Sequence, residues 1–393
     1  MNFLHALTPG RCAITVATAL LVFAGLQCGA DDGEHPSLPD LRDAMPDVLP
    51  SPDAGTDADA AEDADTPETD AGPADDRITR EAIDTKATLR TVERDFIGRP
   101  SLVVGGNKAL FKRGSPVVVD APKWEPLADV GAMDIHVLDA FDAQLCVADG
   151  AGALACSLDG SPLRPVGGTP GPIASISNSP EILPRELRGS LMAVDGRQWY
   201  IGPDYQLVLW PQGLHVPFAP IRGTAIISYR SKFEMYAVGA NGALWVNELG
   251  HEGWAPRNSG TTRELRSIGV VDEQKIWAVG DEGTIVISYD GGATWYDEPS
   301  PTNETLRATK ALYIWHGEGA NMRLDWYRLI VGDHGTVLLS VNDNPFERIA
   351  SGTHAALLAL TVDGDKFVAV GERGTILRVD PALHDGTDGG TTR

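Results

Sequence analysis

From residue 102 onward the chain alternates short apolar runs with polar pairs held between glycines, and the alternation repeats. Residues 236–245, 277–286, 329–338 and 368–377 share one pattern: apolar residues, Gly, two polar residues, Gly, a small residue, then more apolar residues. Weaker copies precede them. One runs from Leu102 through Gly105 to Phe111, one from Leu145 through Ala148 and Gly152 to Leu154, and one from Trp199 through Gly202 to Leu209. The marker positions are 105, 148, 202, 239, 280, 332 and 371. A polar pair between glycines predicts a tight hairpin, with the glycines supplying positive φ. The β-branched and aromatic runs on either side predict strands with both faces buried. Helical periodicity is absent from these segments.

Strands repeating every 40 to 45 residues or so are the signature of a propeller, whose sheets pack face to face around a ring. Seven copies predict an all-β, seven-bladed β-propeller. The last copy ends at Val379, Asp380 and Pro381 with no outer strand of its own. Residues 84–98 precede the first copy and have strand character. They are expected to close the ring against the C-terminal blade, removing an exposed edge. The longer intervals place insertions at 167–189 and 315–323.

The first ninety residues read differently. Residues 13–26 form an apolar run behind Arg11. Fourteen residues are too few to span a bilayer, which takes roughly 20, but fit the core of a signal peptide. In one processing reading Cys28 is the lipidated first residue of a bacterial lipoprotein, although Gly25 and Gln27 depart from the usual box. In the other a peptidase cuts after Ala30. The polar stretch directly after Cys28 favours lipidation. Residues 31–76 hold sixteen Asp/Glu and one basic residue, Arg42, so most of the net charge of −23 sits there. Such a stretch is a solvated, extended linker. Asp57, Asp59, Asp63 and Asp65 lack the Gly and Glu of a calcium loop, and no metal or cofactor is expected. The expected organisation is a signal peptide at 1–27, a disordered acidic tether at 28–83, the propeller at 84–381 and a flexible tail at 382–393. The chain is expected to be exported, periplasmic or at the cell surface, with a lipid anchor as its only membrane attachment. A secreted soluble form is the alternative. With no excess of Lys and Arg, a nucleic-acid binder driven by phosphate neutralisation is excluded.

Cys146 and Cys156 flank a strand, a turn and a strand. A hairpin centred on Ala151 sets them opposite each other, as a disulfide in an oxidising compartment or as two buried thiols.

Ser288, Asp290, Gly292, Thr294 and Trp295 match the Asp-box pattern S-x-D-x-G-x-T-W at every fixed position. The Asp290 carboxylate is expected to accept N–H groups of its own turn, Gly292 to take a left-handed conformation, and Trp295 to pack between blades. Degenerate echoes occur at 157–160 and 340–343. The chain over 92–380 resembles Asp-box (BNR-type) propellers, and is most similar to the photosystem II stability/assembly factor-like repeat group. The resemblance implies a seven-bladed propeller that binds another protein as an assembly scaffold.

The leading functional expectation is therefore a monomeric, non-catalytic scaffold that binds another envelope protein. Its expected binding face is the ring of turns carrying Asp149, Asp204, Asp281, Glu282, Asp333 and Glu372. That face reads as acidic, suited to a basic partner, a small ligand or a cation. A sialidase-like glycosidase is the alternative from another class, since those enzymes also carry Asp-boxes. It requires three arginines on the substrate carboxylate, and the arginines here, such as Arg222, Arg230, Arg263, Arg266 and Arg307, follow no recognisable spacing.

Overall fold

The computed structural model describes residues 71–383, except 96–100, 115–122, 129, 142–143, 158–161, 168–170, 178–188, 194–197, 202–206, 210–219, 230–231, 249–253 and 318–321. Cys28, Asp204, the leader, the tether before residue 71 and the tail after residue 383 lie outside the described residues. No helix among the described residues is long and apolar enough to cross a membrane.

Among the described residues the strands pair into seven four-stranded antiparallel sheets, six of them in simple chain order. The fifth shows the plan. Leu265–Val270 pairs with Ile276–Gly280, then Ile285–Ser288, then the short outer strand Tyr296–Asp297. Ile276–Gly280 is buried along its whole length, as a strand covered on both faces must be. The hydrophobic core is divided among the junctions between consecutive sheets. Tyr236, Val238 and Val246 of the fourth sheet meet Leu265, Ile268 and Trp295 of the fifth. Trp277 and Ile287 of the fifth meet Leu306, Ile330 and Phe346 of the sixth. Leu329 and Tyr327 of the sixth meet Leu357 and Phe367 of the seventh. Leu89, Val92 and Val104 of the first sheet meet Val368, Val370 and Ile376 of the seventh, so the packing returns to its start. The fold is an all-β propeller.

The ring closes differently from the sequence expectation. Residues 84–98 do not complete the last sheet. They contain Leu89–Asp95, the innermost strand of the first. The closing strand is Ile78–Arg80, which pairs antiparallel with Ile376–Val379. It lies inside the stretch assigned to the tether, so the propeller begins before residue 84. The polar, three-residue ITR strand is too short to register as a hydrophobic pattern, and the partner strand specifies its register. Ionic contacts reinforce the seam. Arg113 meets Glu81 and Asp363, each at 3.1 Å, and Arg378 meets Asp363 at 2.7 Å. The Trp124 indole N–H donates to Glu81 at 3.0 Å.

Candidate functional site

The inner strand of every sheet has the same local irregularity. Pairing slips by one residue directly after its first residue, at 89/91, 135/137, 173/175, 221/223, 265/267, 306/308 and 357/359. A bulge leaves one residue out of the ladder and re-aims its side chain. The bulged residues are Arg90, His136, Ala174, Arg222, Arg266, Arg307 and Leu358. All but Ala174 line one cavity of about 220 Å³. Four arginines and a histidine, far apart in sequence, thus gather around one concave mouth.

The turns expected to form an acidic face flank this mouth, because each inner strand starts where the second strand of its sheet ends: Leu265 pairs with Gly280 and Leu306 with Gly332. The acids there are already engaged. Asp281 takes Arg266 Nε at 2.5 Å, and Asp333 takes Arg307 through two nitrogens at 2.5 and 3.0 Å. Glu264 meets Arg222 at 2.9 Å, and Asp134 meets Arg90 at 3.0 Å. Glu282 pairs with Arg263 at 2.8 Å. Glu372 accepts the Ala356 N–H, and Asp149 accepts the N–H groups of Ala151 and Ala153 in its own turn. The described acids of the expected face are thus engaged by cations or by backbone N–H groups, and guanidinium groups line the central mouth. Burial acts to lower the pKa of Arg266, but Asp281, Glu264 and Asp333 outweigh it and hold the group above its ordinary value. The Asp134 carboxyl is opposed by its own burial, yet His136 and Arg90 hold it below the usual range. A guanidinium offers five N–H donors, more than these pairings use. The mouth therefore suits an anion with planar, bidentate geometry, such as a carboxylate. Sequence reasoning missed this ring because the loops between its members vary in length. A signal existed nonetheless: each ring residue follows the first aliphatic residue of an inner strand, as in Leu89-Arg90, Ile221-Arg222, Leu265-Arg266 and Leu306-Arg307.

The stretch from Ser288 to Trp295 is a closed turn. Asp290 Oδ1 accepts the Thr294 N–H at 2.8 Å, and the Thr294 hydroxyl donates to Oδ2 at 2.5 Å. The Ser288 hydroxyl donates to Asp290 and accepts the Gly292 N–H, both at 2.8 Å. These bonds, led by that from the Thr294 side chain, hold the Asp290 carboxyl down at about 2. Gly292 has φ +80°, and Trp295 is buried against the fourth sheet while its indole N–H donates to Gly292 O. The residues are a structural fastener and face no cavity with the arginine ring. Of the echoes, residues 158–160 lie outside the described residues. At the other, Ser340 donates to Asn344 O, and Asn342 donates to Asp325 in place of the aspartate self-closure. Cys146 and Cys156 face each other across adjacent strands and are joined in a buried disulfide. Among the described residues no group of His, Cys, Asp and Glu is arranged to hold a metal ion.

These features define a β-propeller with a cation-lined mouth. No family model matches the chain, and no curated protein matches it. Solved structures do. One is YCF48 bound to D1 peptide, with a TM-score of 0.58 at 17% identity over 79% of this chain and 97% of that one. Another is YCF48 from Cyanidioschyzon merolae, with a TM-score of 0.59 at 12% identity over 78% and 99%. A third is the WD40 β-propeller domain of Doa1, with a TM-score of 0.57 at 12% identity over 77% and 96%. At these identities the likeness is one of fold.

Proposed function

We propose that this chain is a non-catalytic, seven-bladed propeller of Asp-box type that binds another protein. In this reading each four-stranded sheet is one blade. An acidic segment or a C-terminal carboxylate of the partner seats in the arginine-ringed mouth. The observation that carries the reading is the repeated bulge that sets Arg90, Arg222, Arg266 and Arg307, with His136, around one cavity. A solved propeller of similar fold holds a peptide, which supports a peptide as ligand. Export, lipidation at Cys28 and attachment to a bacterial envelope belong to the same proposal and rest on the N-terminal sequence. A glycosidase would need a tyrosine nucleophile beside the arginines, and among the described residues the mouth is lined by arginine, histidine and leucine.

The test uses a fluorescein-labelled hexamer of Asp and Glu with a free C-terminus. Anisotropy should report saturable binding that weakens with salt. Arg266→Glu and Arg307→Glu should each weaken it at least tenfold, and Arg307→Lys less. Equal binding by parent and reversed variants, or hydrolysis of a fluorogenic sialoside, would overturn the reading.

A further inference from the structure

The chain enters the propeller from the side of the arginine ring. Ile78 lies opposite Val379, which pairs with Phe367 at the end of the seventh sheet remote from the Gly371 turn. Followed back from there toward the N-terminus, the chain climbs the outer edge of the sixth sheet. Arg77 meets Glu347 of the outer strand at 2.5 Å, and the Asp75 N–H donates to Ala350 O at 2.8 Å. Ala74 then lies against Gly352, where a Cβ would come 2.8 Å from the Ala74 Cβ. Residues 350–355 belong to the arginine-ring end. The Gly335 N–H donates to Ala355 O, beside the turn whose Asp333 holds Arg307. Leu357 opens the inner strand that brings Leu358 to the mouth. The chain upstream of Ala74 therefore departs from the face that carries the ring.

The sequence there carries charge of the opposite sign. Asp63, Asp65, Glu68 and Asp70 put four acids in eight residues, and no Lys or Arg occurs between Arg42 and Arg77. Strands in a sheet lie about 4.8 Å apart, so the inner strands are about 14 Å inward of the outer edge. At up to about 3.5 Å per residue, Asp70 reaches about 14 Å from Ala74 and Asp63 about 38 Å. The four acids thus span the distance from rim to mouth with slack. Receiving groups are in place. Arg90 and Arg222 reach their own carboxylates through Nε, leaving Nη1 and Nη2 of each without a hydrogen bond to a carboxylate among the described residues.

We infer that the acidic segment of residues 63–70 seats in the arginine-ringed mouth of its own chain and holds it against outside ligands until a partner displaces it. The inference rests on the reading of the mouth as an anion site and adds its regulation. A segment joined to its site by a few residues competes at an effective concentration on the order of 1 mM. With a dissociation constant on the order of 0.1 mM for the segment itself, an outside ligand is weakened about tenfold. A partner with a denser acidic run or a C-terminal carboxylate still wins the mouth, and a sparsely acidic surface does not.

The test titrates the labelled acidic hexamer into the full chain and follows anisotropy. With Asp63→Asn, Asp65→Asn, Glu68→Gln and Asp70→Asn combined, binding at low salt should be about tenfold tighter than in the parent. The gap should close as salt rises to about 0.5 M. All four positions precede the first paired strand, Ile78–Arg80, so the sheet pairings are kept. Neutralising Asp31, Asp32, Glu34 and Asp40 instead removes the same charge from farther along the chain, and should change binding less than about twofold. A free peptide of residues 63–70 should displace the hexamer from the neutralised variant, and should lose its hold when Arg266→Glu is added. Equal binding by the parent and the neutralised variant overturns the inference. So does an equal gain from the distant four, which would mark an effect of net charge alone. Both outcomes leave the anion-site reading standing as long as Arg266→Glu still weakens the hexamer. A hexamer indifferent to Arg266→Glu in the neutralised variant sinks both.

Discussion

Arg328 shows how a single side chain ties two sheets together. It is fully buried, its guanidinium makes two bonds of 2.6 and 2.7 Å to Glu298 of the neighbouring sheet, and a third reaches Ser340. It also packs 4.5 Å from the Phe346 ring centre. Removing the carboxylate strands a buried charge, whereas removing the guanidinium leaves an acid that reaches water more easily. Glu298→Ala should therefore destabilise by about 3–5 kcal/mol, and more than Arg328→Met does, as read by urea unfolding. Asp290 gives a pH signature of a different kind. Its folded pKa, about 2, lies below the ordinary 3.8, so its stabilising contribution is full above about pH 4 and fades as the pH falls toward 2. The difference in melting temperature between the parent and Asp290→Asn should be largest at neutral pH and shrink across that window. A constant difference would show that the bonds do not depend on the charge.

At the scale of the element, the hairpin turns were legible in the sequence, but the role of each glycine was not. The spacing G-x-x-G announced the hairpins, and hairpins are there. The positive φ falls on the second polar residue, at Asn241, Glu282, His334 and Arg373, and on the second glycine. The first glycine is extended, with φ −169° at Gly280. It is glycine for want of room, since a Cβ there would lie 1.9 Å from the Glu264 carbonyl oxygen. The second glycine presses on the next sheet. A Cβ on Gly283 would come 1.9 Å from Thr302 O, and its N–H donates to Glu304 O. The same approach recurs from Gly335 to Thr353 and from Gly374 to Thr85. Local propensity gives no hint of these contacts, because they join different repeats. They make each turn a clamp on its neighbour, so Gly283→Ala combines a strained φ with a backbone collision. It should cost about 2 kcal/mol or more. Gly364→Asn is the control, because Gly364 also has positive φ, at +68°, but faces open space. It should change the melting temperature little.

For the molecule as a whole, a propeller is only as stable as its last seam. Repetition made the sheets readable one by one, but closure depends on a segment that resembles none of them. Ile78–Arg80 supplies the outer strand of the seventh sheet, and Glu81 supplies a carboxylate to Arg113. Asp363, almost fully buried, joins Arg113 of the first sheet to Arg378 of the seventh. Burial, with the Arg378 charge beside it, holds the pKa of Arg113 below its ordinary value against Glu81 and Asp363, a sign that the pairing is needed to hold the charge inside. Two perturbations separate the strand from the ionic seam. Asp363→Asn keeps the strand but leaves two arginines sharing Glu81, and should destabilise by about 3–5 kcal/mol. A chain beginning at Asp84 loses both Glu81 and the strand, and exposes the hydrogen-bonding edge of Ile376–Val379. Such an edge pairs readily with another chain. The truncated chain should therefore melt lower and also self-associate in light scattering, whereas Asp363→Asn should melt lower and stay in the parent's association state. If the truncated chain stays in that state with an unchanged melting temperature, the N-terminal strand is not what completes the ring.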